Sequence, residues 1–200
     1  MHKRSIILTC LSIFVAAAML AGCAGMSAAP APTQQNFKPP VVTLDSMEVA
    51  HAFGYWYFSN KVQPTKGNPD NVGAPLELAF IFNVENPNEY PVKMENLKFT
   101  IAFEEFDLNT VSSTETMWIP AGKTNELRVP AMFDTRQTLL TLLLPGAMML
   151  KEKGVTPWDE LEKWWTGAPD FSFPVSVKEG SAIFKAGDVV KVVPFEATFP

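Results

Sequence analysis

From Val41 onward the hydrophobic positions recur mostly at every second residue. Leu76, Leu78, Phe80, Phe82 and Val84 alternate with smaller or polar neighbours, and Leu97, Phe99, Ile101 and Phe103 alternate with Lys98, Thr100, Ala102 and Glu104. A period of two belongs to a strand with one buried face. Val92 and Met94 have the opposite parity to Leu97 and Phe99, so the pattern slips by one residue around Glu95 and Asn96, which predicts a bulge or a break there. Further strands are expected at 41–49, 109–116, 125–133, 171–177 and 189–199, separated by turn signals such as Pro120-Ala121-Gly122 and Lys178-Glu179-Gly180. About seven strands predict a mainly β protein, a sandwich whose inner faces include Leu78, Phe80, Phe82, Leu97, Phe99, Ile101, Leu127 and Val129.

One stretch departs from the two-residue period. Residues 138–149 carry Leu139, Leu140, Leu142, Leu143, Leu144, Met148 and Met149, too rich in leucine and too poor in β-branched residues for a strand, so a helix is expected. Pro145-Gly146 should end or kink it. A second short helix is expected to start at Thr156-Pro157-Trp158-Asp159, where a capping hydroxyl precedes proline at the first helical position, and to stop at Gly167. The helices then fall before the last strands and pack across an end or open edge of the sandwich.

The start of the chain reads as an address. His2, Lys3 and Arg4 precede a mostly apolar run from Ser5 to Leu20, diluted by Thr9, Cys10 and Ser12, which fits a secretory signal better than a membrane span of about 20 apolar residues. Leu20-Ala21-Gly22-Cys23 resembles the bacterial lipobox, in which cleavage precedes the cysteine and lipid is attached to it. This predicts a signal peptide at 1–22, a lipidated Cys23 with a flexible tether at 23–40 rich in alanine, proline and polar residues, and a folded domain at 41–200. The membrane is then a partner through the anchor, and the covalent lipid on Cys23 is the one attached group expected. Ala24 in place of an aspartate after the cysteine favours, under the enteric sorting pattern, the outer membrane facing the periplasm.

Composition narrows the function classes. With 47% hydrophobic and 18% charged residues the chain is globular in character, and a net charge of −5 argues against nucleic acid as a partner. Removing residues 1–22 takes away Lys3 and Arg4 but no acid, which leaves 14 basic against 21 acidic side chains, a net −7. Cys10 leaves with the signal and Cys23 carries the lipid, so the domain has no thiol for a disulfide.

Asn86-Pro87-Asn88 is, as local physics, a loop that ends one strand and turns into the next. With its flanks FIFNVENPNEYPVKMENLKFTIAF and IPAGKTNELRVP, the latter supplying Pro120 and Gly122, the chain resembles the type 2 late embryogenesis abundant family, also called the water stress and hypersensitive response (WHy) domain, over residues 39–200. The resemblance implies an immunoglobulin-like or fibronectin III-like sandwich, an association with tolerance to desiccation and other water stress, and no catalytic residue.

Enzyme chemistry finds few parts. His51 is the single histidine of the expected mature chain, too few for a His-dependent triad or a two-histidine metal site, so no metal is expected. Gly122-Lys123-Thr124 imitates the tail of a phosphate-binding loop, but Met117 stands where that loop needs glycine and a strand is expected to follow. The paired acids Glu104-Glu105 and Asp159-Glu160 diverge on any regular element and read as solvated surface; a hydrolase built on them is the most distant of three readings. Tyr55, Trp56, Trp164 and Trp165 are either core, the commoner fate of aromatics in a sandwich, or an apolar binding face. The expected function is non-enzymatic: a stress-protective or chaperone-like module acting on partly unfolded clients, with a structural, interaction or lipid-binding component of the cell envelope as the alternative. The sequence leaves the oligomeric state open.

Overall fold

The computed structural model describes residues 30–55, 58, 73–113 and 115–200. Cys23, the lipobox residues Leu20, Ala21 and Gly22, and Trp56 lie outside them. The described residues form β1 (Val41–Ala52), β2 (Pro75–Glu85), β3 (Val92–Phe103), β4 (Phe106–Ser113), β5 (Met117–Ile119) and β6 (Thr124–Asp134). Helices α1 (Thr135–Leu143), α2 (Ala147–Lys153) and α3 (Pro157–Gly167) follow, then a 3-10 turn at Ala168–Asp170 and the closing hairpin β7 (Val175–Ala186) and β8 (Val189–Phe199).

The strands make two antiparallel sheets, β1-β2-β6 and β4-β3-β7-β8, with β5 alongside the start of β3. The molecule is a β-sandwich with its helices before the last strands. Lettered as in immunoglobulin-type domains, one sheet holds A, B and E and the other holds C′, C, F and G, the fourth strand having joined the sheet of the third. Phe80 and Phe82 of β2 meet Phe99 of β3 edge-on with ring centroids 5.1 and 5.2 Å apart, and Phe82 meets Phe195 of β8 at 5.5 Å. All eight inner-face residues expected from the alternation are buried.

The parity slip in β3 is a bulge. Pairing with β7 shifts between Met94 and Asn96, which turns Leu97, Phe99, Ile101 and Phe103 onto the buried side already taken by Val92 and Met94. Two features differ from the sequence reading. The Lys178-Glu179-Gly180 turn signal lies inside β7 as a second bulge, with Lys178 and Glu179 unpaired between Val177 and Gly180 in the ladder with β8. Glu179 has φ 51°, and a Cβ on Gly180 would stand 2.3 Å from the Phe195 carbonyl oxygen, so glycine here permits close strand approach rather than reversal. The three-residue β5 has no signal of its own; it pairs with Val92–Met94, and the turn after it is held to the β2–β3 turn by the Gly122 amide donating to the Asn88 carbonyl.

The helices start and stop as their caps dictate. Asp134 Oδ1 accepts the Arg136 amide at 2.9 Å to start α1. Pro145-Gly146 divides the leucine-rich stretch into α1 and α2, giving three helices where one or two were expected. Thr156 Oγ1 accepts the Asp159 amide at 3.2 Å at the head of α3, which ends at Gly167. Together they close one end of the sandwich. Fully buried Trp164 stands edge-on to Phe103 and Phe106, both at 5.5 Å, and Trp165 Nε1 donates to the Ala74 carbonyl at 2.9 Å.

Candidate functional site

Asn86, Asn88, Pro120 and Gly122 lie at the opposite end and are structural in what they touch. The Asn86 side chain is buried, and its Nδ2 lies within donating distance of the carbonyls of Tyr90 at 2.9 Å and of Ile119 and Pro120 at 3.1 Å. Its Oδ1 accepts from the Asn88 amide at 3.0 Å and from Asn88 Nδ2 at 2.9 Å. One side chain therefore joins the β2–β3 turn to the β5–β6 turn. In that second turn Lys123 donates to the Pro120 carbonyl and Gly122 takes φ 61°, followed directly by β6, so Gly122-Lys123-Thr124 is a turn that carries the chain from one sheet to the other and enters a strand, not the helix a phosphate cradle needs.

The aromatic face expected as a possible binding surface is core at every described position. Tyr55, Trp164 and Trp165 are 3%, 0% and 3% exposed. Their indole and phenol groups are satisfied inside the domain, the Tyr55 hydroxyl donating to the Trp158 carbonyl at 3.3 Å. His51 is exposed and stacks against Phe53 with centroids 4.9 Å apart. Among the described residues no group of three or more His, Cys, Asp or Glu is placed to hold a metal ion.

What the helical end exposes instead is mostly aliphatic, with the exposed Trp158 of α3 as its aromatic member. Leu140 and Leu144 at the end of α1 and Met148 on α2 are 57%, 73% and 76% exposed, with Leu143 beside them. Inward, Thr138, Leu142 and Leu150 take the buried positions. A cleft of about 150 Å³ opens beside this apex between the β3–β4 turn and the α1–α2 junction, lined by Glu105, Phe106, Asp107, Thr141, Pro145, Gly146 and Met149. Its rim is ionic: Lys153 pairs with Glu105, and Lys178 Nζ lies 2.8 Å from Asp107 Oδ1. The hydrogen bond from Lys153 holds the Glu105 carboxyl below the usual carboxylate range and raises Lys153 in return.

The adjacent acid pairs do diverge, yet they are not all solvated. Glu160 is 3% exposed, and it pairs across elements with Glu104 of the β3–β4 turn. Lys163 Nζ reaches Glu104 Oε1 at 2.6 Å and Glu160 Oε1 at 3.0 Å, and Trp164 Nε1 donates to Glu104 Oε2 at 3.3 Å. Burial pushes Glu160 up and its hydrogen bond with Glu104 adds to this, against Lys163. Burial also pushes Glu104 upward, but the hydrogen bonds from Glu160, Lys163 and Trp164 outweigh it and hold Glu104 low. This is a latch between α3 and the sheets, in which Glu160 is held above and Glu104 below the ordinary glutamate value.

Both features had a faint signal. A helix apolar on nearly every side, as 139–144 is, carries more apolar surface than one buried face can take. Glu160 lies four residues before Trp164, on the same helical face as that tryptophan.

No protein-family model matches the chain, and no curated protein matches it. Solved structures similar to it include a protein from Archaeoglobus fulgidus, 13% identical with a TM-score of 0.40, covering 78% of this chain and 94% of that one. A structural genomics target designated SoR45 is 11% identical with a TM-score of 0.41, covering 80% of this chain and 87% of that one. A Bordetella pertussis protein designated ApaA is 10% identical with a TM-score of 0.42, covering 81% of this chain and 93% of that one.

Proposed function

We propose that this chain is a non-enzymatic, lipid-anchored protein of the bacterial cell envelope, of the WHy type, whose helical apex holds apolar segments of partly unfolded proteins during water stress. The observation that carries the reading is the exposure of Leu140, Leu144 and Met148 on a domain that buries Tyr55, Trp164 and Trp165. Exposed apolar clusters mark interaction surfaces, and flexible leucine and methionine side chains suit weak, broad binding. The resemblance at Asn86-Pro87-Asn88 supports the family reading and the lipobox-like ending at Cys23 supports the anchor.

The test is protection of unrelated enzymes through drying or freezing by residues 24–200, against an equal mass of an ordinary acidic protein. A Leu140→Gln, Leu144→Gln, Met148→Gln variant should fold with stability changed by no more than about 0.5 kcal/mol per exposed site, and its protection should fall to that of the control. Equal protection by variant and parent, or by parent and control, would sink the reading. The shaped cleft beside the apex favours a second one, docking of a single envelope partner; a crosslinker at position 144 that captures one protein in cells, with no protection in the drying assay, would select it.

A further inference from the structure

The last residues before β1 are clasped to the sandwich at the Asn86-Pro87-Asn88 end. Phe37 is 2% exposed, its ring centroid 6.4 Å from that of Tyr90 and beneath Lys191 Nζ at 5.6 Å. Lys191 Nζ also donates to the Phe37 carbonyl at 2.9 Å. Asn88 Oδ1 accepts the Lys38 amide at 2.8 Å while Asn88 Nδ2 donates to the Lys38 carbonyl at 2.9 Å. A single side chain thus meets both main-chain polar groups of one residue, as a neighbouring antiparallel strand would. The Tyr90 hydroxyl donates to Asn36 Oδ1 at 3.0 Å.

Asn88 joins in tying the two turns, its carbonyl accepting the Gly122 amide at 3.0 Å and its Nδ2 donating to Asn86 Oδ1, while its Oδ1 and the second hydrogen on Nδ2 serve this contact with a segment fifty residues away. Removing that segment would uncover an apolar socket, a donor and an acceptor at peptide spacing, and a cation. Those are the parts of a peptide-recognition site.

We propose that the notch of Asn88, Tyr90 and Lys191 is a binding site for a peptide segment that carries an aromatic side chain as it leaves a turn, filled by this chain's own Asn36-Phe37-Lys38 as a strap, in which Phe37 donates its amide to the Thr33 carbonyl.

Amide hydrogen exchange on the full chain tests it without reference to lipid. The Lys38 amide should be protected in the native chain, and Phe37→Ala should speed its exchange by at least about tenfold, roughly what one net hydrogen bond is worth, with the amides of β2 unchanged as proof of folding. Lys191→Met, which keeps the aliphatic stem, should give a smaller increase. A synthetic peptide of residues 32–40 should shift the Asn88 and Tyr90 side-chain resonances of the Phe37→Ala chain and leave those of the native chain, whose notch is filled, in place. Unprotected Lys38 in the native chain, or exchange unaffected by Phe37→Ala, would overturn the strap. No shift in the variant at millimolar peptide would overturn the peptide site.

Discussion

Asn86 shows how much one buried amide can organise. Its donor side faces three carbonyls from two turns and its acceptor side takes both donors of Asn88. Alanine there would strand several buried polar groups, and the expected loss is about 3 kcal/mol in denaturant unfolding. Aspartate, which keeps the acceptor but removes the donors, should lose a similar amount; a loss below about 0.5 kcal/mol for either, the level of an ordinary surface change, would contradict this role. The motif was legible in the sequence as a turn, because proline and asparagine restrict their own backbone. Its tie to Ile119 and Pro120 was not, since that depends on where a turn thirty-three residues away comes to rest.

At the scale of elements, local chemistry foretold more than long-range placement. The cap at Thr156 and the break at Pro145-Gly146 follow from residues within one helical turn and fall where expected, and α3 ends at Gly167, although its cap is Ala168 and Gly167 is right-handed, not a left-handed stop. The bulge at Lys178-Glu179-Gly180 carries the same residues as a turn, and only the neighbouring Phe195 decides that the strand continues. The latch between α3 and the β3–β4 turn belongs to this scale and predicts a pH response. Glu160 sits above the ordinary glutamate range, so the stability linked to it is complete in acid and is lost as pH rises through its raised pKa. Glu104 sits below that range, so its share is present near neutrality and is lost as pH falls through its lowered pKa. Glu160→Gln removes the first dependence while keeping an amide donor toward Glu104. Its melting temperature should vary less than the parent's between about pH 5 and about pH 8 and should match or exceed the parent's at the upper end. Glu104→Gln should lower the melting temperature near neutrality and blunt the loss in acid. An unchanged slope in Glu160→Gln would show that Glu160 does not carry this pH dependence.

For the whole molecule, the two ends of the sandwich divide the labour. The end that carries Asn88 receives the N-terminal segment, and the end closed by α1, α2 and α3 presents Leu140, Leu144 and Met148 to the surroundings. Both cysteines of the chain precede residue 30, so the described domain is held by packing, hydrogen bonds and ion pairs without a disulfide. Changing Cys23 should therefore leave the domain's melting temperature where it is while removing its hold on the membrane. Metabolic labelling with a fatty acid is expected to mark the native chain and not Cys23→Ser, and the variant should leave the membrane fraction. Among the described residues no helix is long and apolar enough to cross a membrane in the lipid's place. Equal label in the two proteins would refute lipidation at Cys23. Unlabelled variant still recovered with membranes would instead assign the membrane contact to the exposed aliphatic apex, and adding Leu144→Gln and Met148→Gln to Cys23→Ser should then release it.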